Sequence, residues 1–222
     1  MRIMQKEREG SLVKLLNYPK KIAWWHGTDA LKLVMYPPGP FRWHVRIFLH
    51  RIFWRLAWRF FDVHYVNHAG LIKALEAAGI SPDRIRIKPV PHSTKKYKKA
   101  DHDRFTVLFY MPANGSPKQY AEWIYGREVL NFLESKTGIH LIVADGSLDM
   151  SDVYPKVDAY IKVNRTIYNG LNRIGKECKA NDIPVMMLKM YGRTIPEYIR
   201  EVDSWINTKR DIWLTKKRSA KS

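Results

Sequence analysis

The segment Tyr110-Met111-Pro112-Ala113-Asn114-Gly115-Ser116-Pro117-Lys118 joins small residues to a lysine at the start of a helical pattern. Backbone N–H groups at a helix start, with an ammonium beside them, suit the oxygens of a phosphate. Gly115 and Lys118 are therefore candidate phosphate-binding residues. The spacing is not that of a Walker A loop, because GxxxxGK[ST] is absent. An ordinary strand-to-helix loop with a surface lysine would have the same composition. A second segment, Asn164-Arg165-Thr166-Ile167-Tyr168-Asn169-Gly170, leads into a helix that carries Glu177. If that helix starts near Gly170, Asn169 is its N-cap and faces the strand ends. Glu177 then lies two turns on, where it reaches ligand hydroxyls only if the ligand runs along the helix. A cap and a surface glutamate are the plain alternative. A third segment, His26-Gly27-Thr28-Asp29, follows a short apolar run. A His and an Asp at a strand end can orient a hydroxyl or support proton transfer. A Thr-Asp helix cap explains the same residues.

The remaining histidines (His44, His50, His64, His68, His92, His102, His140) show no metal-ligand spacing and read as surface or core residues. Cys178 is the only cysteine, which excludes an intramolecular disulfide and any multi-cysteine zinc site.

These candidates need elements to hold them. KIAWW (21–25) reads as a short buried strand, and 35–40, with three prolines, as a loop. A long helix is predicted over 42–61, a strand over 62–66, a helix over 68–79 ending at Gly79, and a strand over 84–90. Residues 91–103 are polar, charged and non-periodic, and mark a boundary. Beyond it, strands are expected at 104–110, 139–144, 159–163 and 184–188, and helices at 120–135, 170–181 and 196–207. Short apolar strands alternating with helices imply βαβ units, right-handed crossovers and parallel sheets. The fold class is α/β, with two Rossmann-like domains. Residues 1–92 form an abbreviated one, joined by the C-terminal tail, and 104–207 form the second. The basic tail is expected to fray after Leu214. In an open parallel sheet, ligands bind at the carboxyl ends of the strands, where all three candidate segments fall.

At 222 residues the chain can bury a core without a disulfide or metal staple. Hydrophobic residues make up 45% and charged residues 27%, which excludes a disordered or collagenous chain. No apolar run is long enough for a transmembrane helix, and the N-terminus lacks the apolar stretch of a secretory signal, so a cytoplasmic location is expected. With 39 Lys+Arg against 21 Asp+Glu, the net charge of +18 calls for an anionic partner: nucleic acid, an anionic membrane or phosphorylated substrates.

The order of the segments resembles that in GT-B glycosyltransferases, the retaining family 4 type above all. That family carries Glu-Gly-Phe-Gly and then Glu-Ala-x-Ala-x-Gly-x-Pro-Val. Here Asn169-Gly170-Leu171-Asn172 is followed by Glu177-Cys178-Lys179-Ala180-Asn181-Asp182-Ile183-Pro184-Val185. Glu177 aligns on the second Glu of the pair, and Asn169 stands where the first would be. FTVLFYMPANGSPK resembles the family's strand and loop ending in a phosphate-binding lysine, here Lys118, without the usual Gly-Arg. IHLIVADG, the stretch from Asp62 to Pro91, and His-Gly-Thr-Asp also resemble family segments. The resemblance spans about residues 21–207. It implies a GT-B-like, metal-independent glycosyltransferase that needs no cofactor. Such an enzyme moves a sugar from a UDP- or GDP-type nucleotide sugar to a hydroxyl of a glycan, lipid or protein, with retention. His26, Asn169 and Glu177 would be the catalytic residues. Gly115, Lys118, Asn169, Gly170 and Glu177 would bind the donor. The chain is short for that family, so a homodimer could supply what the first domain lacks. The alternative is a non-catalytic nucleic-acid- or membrane-binding protein on a degenerate scaffold of this kind.

The predicted helix 42–61 combines both unusual features of the composition, charge and aromatics. At about 100° per residue, His44, Arg51, Arg55 and Arg59 form a stripe with Leu49, Phe53, Leu56, Ala57 and Phe60 roughly opposite. This pattern suits an interfacial helix on anionic lipid, with Arg51, Arg55 and Arg59 facing the membrane. That would make the protein peripheral on the inner face of a membrane. A core helix with one solvated face, or a nucleic-acid groove, could use the same residues.

Overall fold

The computed structural model describes residues 21–25, 27–112, 117–168 and 170–219. His26, Gly115 and Asn169 lie outside them. The strands form two separate all-parallel sheets, and the chain divides into two units around them. One unit is Met1–Val90 with Tyr168–Gly170, the other Pro91–Ile167 with Leu171–Ser222.

The first unit runs β1 (Ile22–Trp25), α1 (Gly27–Val34), α2 (Phe41–Ala57), a 3₁₀ turn (Trp58–Phe60), β2 (Val63–Val66), α3 (Gly70–Ala77) and β3 (Ile85–Ile87). The sheet order is β1-β2-β3, each strand parallel to the next. Parallel neighbours need a crossover, and the intervening helices supply it. Trp25, Trp54, Phe61, Leu71 and Leu75 form the core. His64 is buried among them. The Trp25 indole N–H donates to His64 Nδ1 (3.0 Å), and His64 Nε2 donates to the Trp58 carbonyl (3.2 Å). Both ring nitrogens are thereby assigned to a neutral imidazole, and burial pushes its pKa down.

The second unit runs β4 (Thr106–Tyr110), α4 (Lys118–Tyr125), α5 (Arg127–Ser135), β5 (His140–Ala144), α6 (Met150–Val153), β6 (Ala159–Asn164), α7 (Arg173–Ala180), β7 (Val185–Lys189) and α8 (Ile195–Ser219). Its sheet order is β5-β4-β6-β7. Phe109, Ile161, Leu188, Val129 and Val202 join one core cluster, and Leu108, Tyr160, Tyr154 and Cys178 another. Alternate residues of β4 and β6 supply the two clusters, as the pleat requires.

Three expectations change. The single helix 120–135 is two helices, because Gly126 takes a left-handed conformation (φ +79) between them, and a Cβ there would lie 3.0 Å from Val163. The helix expected from Gly170 begins at Arg173. Asn172, not Asn169, is its N-cap, and its side chain accepts the Gly175 N–H (2.9 Å). The tail does not fray after Leu214. It continues α8 to Ser219 within the second unit, where Trp213 lies against His102 and Phe105, and Lys217 donates to the His102 carbonyl (2.6 Å) and Asp103 (2.9 Å). Residues 91–103 are also tied down in this unit. The Tyr97 N–H donates to Asn181 Oδ1 (2.7 Å), the Ala100 N–H to the Pro155 carbonyl (2.9 Å), and His102 Nε2 pairs with Asp158 (2.7 Å).

Candidate functional site

In the second unit, β5 lies on one side of β4, and β6 and β7 lie on the other. The strand order therefore reverses between β4 and β6. Open parallel sheets take ligands beside the carboxyl ends of the strands at such a switch point. The loop leaving β4 ends at Lys118, the first residue of α4. Its side chain is 87% exposed and 3.9 Å from Glu122, a separation that leaves the ammonium effectively in solvent.

The loop leaving β6 is more constrained. Arg165 donates through Nε to the Trp123 carbonyl (2.9 Å) and through its guanidinium to Glu128 Oε1 (2.5 Å), which the Tyr198 hydroxyl also reaches (2.7 Å). This arginine braces the loop against α4 and α5. Gly170 belongs to the first unit, where a Cβ would sit 2.8 Å from the His68 ring, so no side chain fits there. Asn172 also bonds the Tyr160 hydroxyl (2.9 Å), which fixes the start of α7 to β6.

Glu177 is not a surface glutamate. It is 3% exposed on α7, and its carboxylate receives three protein donors. The Ser93 N–H (3.0 Å) and Arg173 Nε (2.8 Å) reach Oε1, and the Tyr154 hydroxyl (2.5 Å) reaches Oε2. Burial alone would raise its pKa. The hydroxyl, guanidinium and amide outweigh that, holding the carboxyl below its ordinary value. Of the three partners only Arg173 is largely in solvent, so a ligand hydroxyl gains Oε1 most cheaply by displacing it.

Two residues that no motif flagged stand at the same edge. Lys162 is the fourth residue of β6 and 8% exposed. Its Nζ donates to the Val163 carbonyl, no carboxylate among the described residues pairs with it, and burial pushes its pKa down to about 8. Asn164 ends β6, is 4% exposed, and holds Oδ1 buried without a hydrogen-bond partner among the described residues. By strand alternation both share the face of Tyr160. The available signal was a lysine and an asparagine in a strand otherwise read as fully buried, where a buried polar group needs a partner. In the first unit, Asn67, which follows β2, likewise holds a buried, unpartnered Oδ1.

Of the three arginines expected to face a membrane, Arg55 and Arg59 are exposed. Arg51 is turned inward: Nε donates to the Lys32 carbonyl at the end of α1 (2.8 Å), and the guanidinium lies 3.7 Å from the Tyr36 ring centroid. A cation at the last carbonyls complements the helix dipole, and this explains its orientation. Among the described residues, no group of three or more His, Cys, Asp or Glu gathers to hold a metal ion.

No protein-family model matches the chain, and no curated protein matches its sequence. Among solved structures it is similar to accessory secretory protein 1, 2 and 3 of Streptococcus pneumoniae, with a TM-score of 0.37 and 12% identity over 92% of this chain. The chain spans 51%, about half, of the chain it matches there. At that level the likeness carries no functional weight. Strand order, not kinship, defines the class: an α/β protein with two Rossmann-like parallel sheets.

Proposed function

We propose that the second unit binds a nucleotide-diphosphate sugar at the carboxyl edge of its sheet and that the protein transfers the sugar to an acceptor hydroxyl. The observation that carries the reading is the reversal of strand order between β4 and β6, with the buried ammonium of Lys162 and the unpartnered Asn164 oxygen beside it. A buried cation without a counter-ion suits an anion that arrives as ligand. In this reading Lys118 and Lys162 neutralise the diphosphate as the sugar–oxygen bond breaks and its electron pair leaves on phosphate. The acceptor oxygen forms the new bond to the anomeric carbon, and its proton leaves with the diphosphate. Glu177 meets the ribose hydroxyls once Arg173 has moved aside.

The test is thermal stabilisation by UDP- and GDP-sugars. At a donor concentration of about a hundred times Kd, the gain is about 2.7 kcal/mol. It should disappear in Lys162→Met and weaken in Lys118→Ala, and native protein should release the free nucleotide diphosphate when an acceptor is present. A second reading, a non-catalytic binding scaffold, is favoured by the saturation of Glu177 by protein donors. Absence of stabilisation by any nucleotide sugar, together with steeply salt-dependent nucleic-acid binding, would establish that reading instead.

A further inference from the structure

α2 presents its apolar residues outward. Phe41 is 80% exposed, Leu56 69% and Phe60, in the turn that follows, 59%; Phe48, Leu49 and Phe53 are each about half exposed. At about 100° per residue, the exposed apolar side chains from Phe41 to Leu56 occupy one continuous arc. Arg46 borders it on one side and Arg55 on the other, with Arg42 and Arg59 also exposed. From Phe41 to Phe61 there is no acidic residue.

The rotation of the helix is locked from the other side. Arg51 is held by the Lys32 carbonyl and Tyr36, His44 Nε2 bonds the Pro37 carbonyl (3.1 Å), and the Trp54 ring lies 4.4 Å from Trp25 and 5.1 Å from Phe61. The apolar face therefore cannot turn inward without dismantling that packing. It is much larger than the scattered apolar residues of an ordinary surface, and such faces mark interaction sites.

We infer that α2 lies in the plane of an anionic phospholipid bilayer. Its phenylalanines and leucines would enter the acyl boundary, and Arg42, Arg46, Arg55 and Arg59 would meet the lipid phosphates. Charge complementarity selects this occupant, because every charged residue from Phe41 to Phe61 is an arginine. No helix among the described residues is long and apolar enough to cross a membrane, so the contact is in-plane. The inference stands apart from sugar transfer and uses different residues.

Vesicle flotation of the whole chain tests it. Native protein should float with phosphatidylcholine vesicles containing phosphatidylglycerol and stay behind with phosphatidylcholine alone. Phe48→Ser/Leu49→Ser/Leu56→Ser should abolish flotation with unchanged circular dichroism, since these side chains are exposed. Arg42→Gln/Arg46→Gln/Arg55→Gln should weaken binding by about a hundredfold. If native protein fails to float with the anionic vesicles, the inference falls. It also falls if the native chain sediments as a dimer that the serine variant converts to monomer, because a second copy would then cover this face.

Discussion

An ammonium on a buried strand, facing only a backbone carbonyl, lowers the stability of the fold that holds it. Lys162 is in that position, and its neutral form is favoured above about 8 in the fold but only above 10.5 in the unfolded chain. Between those values the unfolded chain binds more protons, so stability should rise with pH across that window. Lys162→Met should flatten the rise and stabilise the protein near neutrality by about 1–3 kcal/mol, read by urea unfolding. Glu177 is the opposite case. Its folded pKa is depressed below 4.5, so its contribution is complete above that value and lost as pH falls through the folded pKa. Glu177→Gln should cost about 1–3 kcal/mol at neutral pH and show a shallower loss on acidification than native protein. A gain for the lysine variant would mark a residue kept for a ligand at a cost to the fold, and a loss for the glutamate variant would show that the fold also relies on the Glu177 carboxylate.

Among the elements, the strands were the most legible, because buried parallel strands are short apolar runs with few readings. Helix limits were less so. Gly126 interrupts a pattern that is helical on both sides, and sequence periodicity does not register a backbone that must approach Val163 closely. Gly126→Ala should destabilise by about 1–3 kcal/mol, visible as a lower Tm, because Ala resists the left-handed conformation and crowds that neighbour. The orientation of α2 was ambiguous because apolar residues surround it. Two faces satisfy the helical period, and stacking of Trp54 on Trp25 and Phe61 decides between them. The site was half legible. Lys118 and Glu177 could be picked out by spacing, but of the groups that occupy Glu177 only Arg173 is a helical neighbour, and the Tyr154 hydroxyl and Ser93 amide come from other segments of the chain. Lys162 was concealed by its apolar neighbours.

The whole molecule distributes its spectroscopic and chemical features unevenly. Trp24, Trp25, Trp43, Trp54 and Trp58 lie in the first unit, and Trp123, Trp205 and Trp213 in the second. Each unit has a core of its own, and units with separate cores unfold separably unless a large apolar interface joins them. Urea denaturation followed by tryptophan fluorescence should therefore give a midpoint distinct from that followed by helical circular dichroism, where α8 and the other helices of the second unit weigh heavily. Coincident curves would mean that the units unfold as one.

The boundary between the units is not a single cut in the sequence. Tyr168–Gly170 belong to the first unit although the chain on both sides belongs to the second. Tyr168 packs against the first core, and its carbonyl passes so near Gly70 that a Cβ there would sit 2.9 Å away. A fragment ending at Val90 would thus lack part of its own packing and expose apolar surface on expression. Supplying 168–170 on a synthetic peptide, or grafting them back through a short tether, should restore solubility to that half. Proteolytic nicking near Tyr168, though distant in sequence from residues 1–90, should loosen the first unit.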